Sequence, residues 1–128
     1  MDKLLVEKMK TLTVLYAEDE EGIRNNVAKT LRYYVKNVIE ATNGEEALAL
    51  YRKEKPDIIF TDIMMPGNID GIELVRQIRK EDTKIPIVMI TAHTDKEYLL
   101  KAVPLHLEQY IVKPINLKNL KETLIKCV

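Results

Sequence analysis

The sequence is poor in cysteine and has no long apolar run. Its single cysteine, Cys127, cannot form an internal disulfide or a cysteine-only metal site, which favours a reducing compartment. No apolar stretch approaches the roughly 20 residues that cross a bilayer. The first ten residues, MDKLLVEKMK, are too often interrupted by charge for the apolar region of a signal peptide. We therefore expect a cytoplasmic chain with no membrane partner.

Charge of one sign is lacking as well, because 20 basic and 20 acidic residues give a formal net charge of zero. A neutral chain offers no electrostatic reason for direct binding to nucleic acid. The 128 residues suffice for one core that needs no disulfide to be stable. We expect a single domain over residues 1–128, in which about the first ten residues extend a core of residues 11–128.

The sequence does contain short, continuous apolar runs that alternate with amphipathic stretches at helical spacing. Five short, solidly apolar runs are typical of strands that are buried on both faces. They lie at residues 13–17, 38–41, 58–61, 85–91 and 110–112. Amphipathic stretches follow each run, the clearest being residues 20–36, where Ile23, Val27, Leu31 and Val35 recur every four residues. This alternation predicts an α/β domain with a parallel sheet and helices on both faces.

Chemically active side chains follow the predicted strands. Glu18 and Asp19 end the first strand, Asp62 the third, Thr91 the fourth and Lys113 the fifth. In parallel sheets these carboxyl ends meet at one edge, where ligands bind. Carboxylates there would repel each other by roughly 4 kcal/mol per pair at about 4 Å and an effective dielectric near 20. One lysine cannot offset three carboxylates, so the pattern predicts a divalent cation, and oxygen ligands favour Mg²⁺ over zinc.

A carboxylate beside Mg²⁺, a lysine and a hydroxyl can attack phosphorus and form an acyl phosphate. The metal and Lys113 would offset the charge of the phosphoryl oxygens, and the Thr91 hydroxyl would donate a hydrogen bond to one of them. Asp62 is the best candidate nucleophile because it stands alone at the end of the central strand. Glu18 and Asp19 are better placed as metal ligands.

These residues resemble the response-regulator receiver domains of two-component signalling. The resemblance covers essentially the whole chain after about Leu12, and the order and spacing of five sequence blocks agree with the family. The blocks are Glu18-Asp19, DIMMP beginning at Asp62, Asp70-Gly71, Thr91-Ala92 and Lys113-Pro114. The resemblance implies a flavodoxin-like (βα)5 fold with strand order 2-1-3-4-5. It also implies that Asp62 accepts a phosphoryl group from a sensor histidine kinase or a phosphotransfer protein.

The resemblance further implies a role for each site residue. Asp19 would bind Mg²⁺ directly, Glu18 largely through water, and Asp62 and the backbone carbonyl of Met64 would complete the protein ligands. Thr91 would bind one phosphoryl oxygen and Lys113 another. The Lys113-Pro114 peptide bond would be cis.

Tyr110 matches the switch aromatic of the family. Phosphorylation would draw Thr91 inward, and the ring of Tyr110 would follow into the vacated space. That movement would remodel the face formed by the fourth helix, the fifth strand and the fifth helix of the repeat. This face would control a downstream partner or output domain, and the resemblance also allows a homodimer on phosphorylation.

The sequence departs from the family in three places. The loop between Pro66 and Asp70 has one extra residue, and the acidic pair is Glu-Asp instead of Asp-Asp. The Gly-Ala before the fifth strand is replaced by His106-Leu107, with Pro104 just upstream. Because proline breaks helices, Pro104 is expected to end the fourth helix early.

Three other classes compete with this interpretation. Haloacid-dehalogenase-type phosphotransferases also use an aspartyl nucleophile, but they carry a second acid two residues later, where this chain has Met64. A degenerate receiver would serve only as an interaction module, which the intact set of site residues disfavours. A flavodoxin would need a Ser/Thr-rich phosphate loop after the first strand, and this sequence has none there. The leading prediction is a signalling switch that is not an enzyme for external substrates.

Overall fold

Five strands alternate with helices along the chain in a computed structural model that describes residues 2–92 and 95–128. A short helix formed by the N-terminal extension precedes the first strand. The strands are β1 (Thr13–Ala17), β2 (Asn37–Ala41), β3 (Ile58–Asp62), β4 (Ile87–Thr91) and β5 (Gln109–Val112). The helices are α1 (Lys3–Met9), α2 (Glu21–Tyr34), α3 (Gly44–Glu54), α4 (Gly71–Glu81), α5 (Lys96–Ala102) and α6 (Leu117–Lys126).

All strand pairs are parallel, and the sheet has the order β2-β1-β3-β4-β5. The predicted flavodoxin-like order 2-1-3-4-5 is therefore confirmed. The order reverses between β1 and β3, since β1 leads to β2 on one side and β3 leads to β4 on the other. Sites in open parallel sheets form outside the carboxyl ends of the strands at such a reversal.

Two apolar cores lie on the two faces of the sheet. On one face, Leu15 and Ile59 pack with the buried sides of α3 and α4. On the other, Tyr16 and Phe60 pack with the buried sides of α2 and α6. Every residue of β3 and β4 is buried, as expected for solidly apolar strands inside a parallel sheet. Among the described residues, none of the helices combines the length and apolar character needed to cross a bilayer.

Several predicted boundaries differ from the structure by one or two residues. The fourth strand begins at Ile87 and not at Ile85, because Pro86 has no N–H to donate to a neighbouring strand. Helix α2 covers Glu21–Tyr34, which is shorter than the predicted 20–36, since Val35 already has an extended backbone.

The N-terminal helix α1 is packed against the core. Asp2 caps the helix by accepting a hydrogen bond from the Leu4 N–H at 2.9 Å. Met9 is buried, and Leu5 and Leu12 pack against the same cluster as α2 and α6. The N-terminal extension is therefore packed as part of the folded unit.

The extra residue after Pro66 is accommodated by the start of α3. Glu45 accepts a hydrogen bond from the Ile69 N–H at 2.7 Å, and Gly67 takes a positive φ of 95°. A Cβ at Gly44 would overlap the carbonyl oxygen of Ile69, so only glycine allows this close approach. The longer loop is thus fastened to α3.

The departure before β5 is accommodated by an arginine. His106 has φ 57°, a left-handed conformation that glycine would adopt without strain. Arg79 of α4 donates to the carbonyl oxygens of Leu105 and His106, each at 2.8 Å, and so holds this turn. Helix α5 ends at Ala102 and a 3-10 turn covers Val103–Leu105, which confirms that the segment containing Pro104 ends the helix early.

Gly71 allows α4 to begin directly against the end of β3, and this contact can be tested. A Cβ at Gly71 would overlap the Asp62 carbonyl oxygen and come within 2.7 Å of the Ile63 Cα. We expect Gly71→Ala to lower the free energy of unfolding by about 3 kcal/mol, because neither backbone atom can move away.

Gly22→Ala is the matched control, since its Cβ would meet only the flexible end of Glu20 at 3.5 Å. It should leave stability unchanged or raise it by up to about 1 kcal/mol, because alanine favours helix. Urea unfolding measures both variants. Equal effects of the two substitutions would contradict the close approach of α4 to β3.

Candidate functional site

The side chains that follow the strands meet at the carboxyl edge of the sheet. Asp62 and Thr91 are the last residues of β3 and β4, while Glu18 and Lys113 directly follow β1 and β5. The pairing of β1 with β3, β3 with β4 and β4 with β5 makes these ends neighbours. The Lys113 N–H also donates to the Thr91 carbonyl at 2.8 Å, which extends the β4–β5 pairing into the site.

Three carboxylates form the centre of this site. One oxygen from each of Glu18, Asp19 and Asp62 lies within 4.8 Å of the other two. Glu18 and Asp62 are only 1% and 3% exposed, whereas Asp19 is exposed. The cluster is therefore buried on the protein side and open to solvent at Asp19.

Lys113 supplies a positive charge in contact with this cluster. Its Nζ donates a hydrogen bond to Asp62 Oδ2 at 2.7 Å and lies 3.5 Å from Glu18 Oε1. Burial alone would lower the pKa of Lys113, but the hydrogen bond to Asp62 and the negative charges around it outweigh burial and raise the pKa. Lys113 is therefore fixed in its charged form between two acids.

Glu18 is the carboxylate whose charge is least well compensated. Its Oε2 accepts a hydrogen bond from the Glu20 N–H at 3.1 Å. Its Oε1 is buried and accepts no hydrogen bond from the described residues. Burial raises the pKa of Glu18 to about 7, and the charge of Asp62 adds to this effect.

This arrangement fits a hard divalent cation. Among the residues that the structure describes, one lysine contacts the cluster of three facing carboxylates, and a buried oxygen of Glu18 receives no hydrogen bond. A dication would offset the remaining negative charge and coordinate oxygens of this kind. The opening at Asp19 leaves room for the waters that Mg²⁺ usually retains.

The remaining predicted residues lie next to the cluster, except Tyr110, which lies within β5. Thr91 is buried and its hydroxyl donates to the Ala92 carbonyl at 3.2 Å. Tyr110 is 51% exposed, and the Lys113-Pro114 bond is cis. The Met64 N–H lies 3.3 Å from Asp62 Oδ1, while the Met64 side chain is 43% exposed beside the site. The structure thus brings Glu18, Asp19, Asp62 and Lys113 together, with Met64 and Thr91 adjacent to them.

Arg24 and Glu40 were not singled out by the sequence, although they lie next to the acidic pair. Arg24 donates to the Glu18 carbonyl at 3.0 Å, and its Nε lies 3.3 Å from Glu40 Oε1. The only sequence signal is a basic residue one turn into the helix that follows the acidic pair. Tyr16 was likewise assigned only to a strand. Its hydroxyl is buried and has no hydrogen-bond partner within residues 2–92 and 95–128, and burial raises the pKa of Tyr16, with the charge of Glu18 contributing.

Comparisons with known proteins agree with this geometry. Residues 14–125 match the model of a family described as the response regulator receiver domain. Over 113 residues the chain is 35% identical to a "Probable transcriptional regulator ycf27" of Porphyridium aerugineum, covering 88% of this chain and 46% of that protein. It is 36% identical over 103 residues to the "Transcriptional regulatory protein AfsQ1" of Streptomyces coelicolor, covering 80% of this chain and 45% of that protein.

A solved structure of similar length gives the same result. The chemotaxis response regulator CheY4 of Vibrio cholerae superposes with a TM-score of 0.83 at 32% identity, covering 92% of this chain and 99% of that one. The chain spans less than half the length of the two curated regulators named above.

The poorly compensated negative charge of Glu18 gives a prediction for the stability of the metal-free protein. At pH 8 and with chelator present, Glu18→Gln should raise the free energy of unfolding by roughly 2 kcal/mol, since it removes a buried negative charge beside Asp62. The pKa of Glu18 is raised from 4.5 to about 7 in the folded state. The negative charge of Glu18 therefore lowers the free energy of unfolding by its full amount above pH 7 and has little effect below about pH 4.5.

Urea unfolding at pH 4.5 and pH 8 measures this difference. The gain from Glu18→Gln should disappear at pH 4.5, where the glutamate is protonated in the folded state. Glu20→Gln is the control, because Glu20 is exposed and should show little gain at either pH. An equal gain for Glu18→Gln at both pH values would contradict the assignment.

Proposed function

The chain belongs to the response regulator receiver domain family, and we propose that phosphorylation of Asp62 switches its signalling surface. The observation that carries this proposal is the contact of Asp62 with Lys113 at 2.7 Å inside a cluster of three carboxylates. Asp62 is the buried carboxylate at the end of the central strand, and the opening of the site at Asp19 gives a phosphodonor access.

In the proposed reaction a carboxylate oxygen of Asp62 attacks the phosphorus of a phosphohistidine. The new O–P bond forms as the P–N bond breaks, and the electron pair of that bond returns to the imidazole nitrogen, which takes up a proton. Lys113 then pairs with a phosphoryl oxygen and Thr91 donates a hydrogen bond to another. The chain would therefore catalyse only its own phosphorylation and dephosphorylation.

Glu18, Asp19, Asp62 and the backbone carbonyl of Met64 are the proposed ligands of Mg²⁺. When bound, the ion supplies positive charge against the phosphoryl oxygens and the acidic cluster. The buried Glu18 Oε1, which accepts no hydrogen bond from the described residues, and the three facing carboxylates support this choice of cofactor.

Thr91 and Tyr110 are proposed to transmit the switch. Thr91 is the last residue of β4, and Tyr110 of the adjacent β5 has an exposed ring that would move inward in the proposed switch. The face that would respond comprises α5, β5 and α6, and it exposes Leu100, Val112 and Leu117 in addition to Tyr110. Such apolar side chains suit a regulated contact with an output partner or a second phosphorylated copy.

The proposed partners are a sensor histidine kinase or phosphotransfer protein upstream and an output domain or target protein downstream. Residues 1–128 would act as one cytoplasmic receiver unit that does not itself bind nucleic acid. The named curated relatives are described as transcriptional regulators more than twice as long as the matched segment, so a DNA-binding output elsewhere in such a protein is one route for the signal.

Replacing the proposed phosphoacceptor tests this function. Wild type should form an acid-labile adduct with acetyl phosphate in the presence of Mg²⁺, and phosphate-affinity electrophoresis measures it. Asp62→Asn should abolish the adduct, because the amide is a far weaker nucleophile than the carboxylate. Glu20→Gln should retain it, since Glu20 is an exposed acid outside the cluster.

Three results would contradict the proposal. A wild-type chain that forms no adduct would be an interaction module, and turnover of a generic phosphate ester would indicate a hydrolase. Labelling that persists in Asp62→Asn would show that another residue is the phosphoacceptor.

The lifetime of the phosphorylated state is expected to depend on Met64. Its backbone N–H lies 3.3 Å from Asp62 Oδ1, and its exposed apolar side chain would hinder a water that attacks the acyl phosphate. Met64→Asn should accelerate dephosphorylation several-fold, because an amide can hold that water by a hydrogen bond. Leu4→Asn, an exposed apolar change on α1, is the control. Unchanged or slower dephosphorylation of Met64→Asn, timed after removal of acetyl phosphate, counts against this role.

A further inference from the structure

We propose that Arg24 is a positioning residue that holds the Glu18–Asp19 turn in the geometry that binds Mg²⁺. The inference rests on the proposed function, since it assigns a role toward the same metal site. Arg24 lies on α2, immediately after this turn, and touches the backbone of both acidic residues.

The contacts of Arg24 are with main-chain carbonyls. Its Nη1 donates to the Glu18 carbonyl at 3.0 Å and lies 3.5 Å from the Asp19 carbonyl. These two carbonyls belong to the turn between β1 and α2, outside regular strand and helix. One planar guanidinium therefore orients the two peptide units that carry the proposed ligands.

The other parts of the turn are held by separate groups. The Glu18 N–H donates to the Ala41 carbonyl at the end of β2, at 3.0 Å. The Glu18 carboxylate accepts from the Glu20 N–H. Arg24 completes this set by engaging the carbonyl side of the same residue, so loss of Arg24 frees one side of the turn only.

Arg24 is itself fixed by Glu40. Arg24 Nε lies 3.3 Å from Glu40 Oε1, and the other oxygen of Glu40 accepts a hydrogen bond from Arg32 at 3.0 Å. Glu40 lies on β2, in register with Tyr16 of β1. The Arg24 side chain is only 14% exposed, so its position is determined by protein contacts and not by solvent.

The Glu40 contact also has an electrostatic consequence. A guanidinium beside a metal site would repel a dication if its charge were uncompensated. Pairing with Glu40, which also binds Arg32, offsets part of that charge while leaving the Nη1 donor directed at the carbonyls. Arg24 can therefore orient the ligands with reduced repulsion of the ion, in the way that groups outside the ligand set tune metal sites.

Arg24→Gln is the test of this role. We expect Mg²⁺ affinity to fall about 10-fold, the lower end of the usual effect of losing an outer-shell partner. The first readout is the rise of the unfolding midpoint with Mg²⁺ concentration, which needs no phosphorylation. The second is the Mg²⁺ concentration that half-saturates labelling by acetyl phosphate. The labelling rate at saturating Mg²⁺ should match that of wild type.

Two further variants separate orientation from charge. Arg24→Lys keeps the charge but loses the planar fork, so it should recover less than half of the lost affinity on a logarithmic scale. Arg52→Gln is the matched control, because Arg52 forms a two-bond pair with Glu81 away from the site, and its Mg²⁺ affinity should equal that of wild type.

Several results would overturn the inference. Affinity of Arg24→Gln within twofold of wild type removes the role, and full recovery in Arg24→Lys would mean that charge alone matters. A lower saturating rate with unchanged Mg²⁺ half-saturation would place Arg24 at the phosphoryl group instead. If Arg24→Gln does not fold, Glu40→Gln must weaken Mg²⁺ binding for the inference to stand. A wild type that binds no Mg²⁺ would contradict the proposed function itself.

Discussion

Repulsion among three carboxylates at one sheet edge is the constraint on which the site depends. Parallel strands bring their carboxyl ends together, so Glu18, Asp19 and Asp62 come within a few ångströms of each other. Lys113 contacts two of them and offsets part of the charge. Burial raises the pKa of Glu18 to about 7, and the charge imbalance adds to this effect through Asp62. In our proposal the same imbalance favours the binding of a dication, which would in turn offset the charge of a phosphoryl group.

The scaffold keeps this unfavourable arrangement in place through backbone contacts. Helix α4 starts at Gly71, directly against the carbonyl of Asp62, which leaves little freedom at the end of β3. The turn after β1 is held through Ala41 of β2 and, in our proposal, through Arg24. A preorganised cluster of this kind stores electrostatic free energy that a bound cation releases, and burial makes that effect larger than it would be in water.

Much of the fold followed from local patterns, whereas contacts between distant segments did not. Solidly apolar runs predicted five buried strands, and the polar residue after each run predicted the convergence of Asp62 with Lys113. The strand order could be predicted only from the family resemblance, because the spacing of apolar residues does not show which strands are neighbours. The Glu45–Ile69 hydrogen bond and the role of Arg24 could not be read from sequence, since charged residues on helices usually face solvent.

The central claim is that these carboxylates share one dication. A crystal structure of the full chain grown with Mn²⁺ in place of Mg²⁺ tests it most directly, because anomalous scattering locates the ion without bias. A shared dication predicts one strong anomalous peak in contact with carboxylate oxygens of Asp19 and Asp62 and close to Glu18. No peak at this site under saturating Mn²⁺, with the carboxylates as close as they are here, would contradict it.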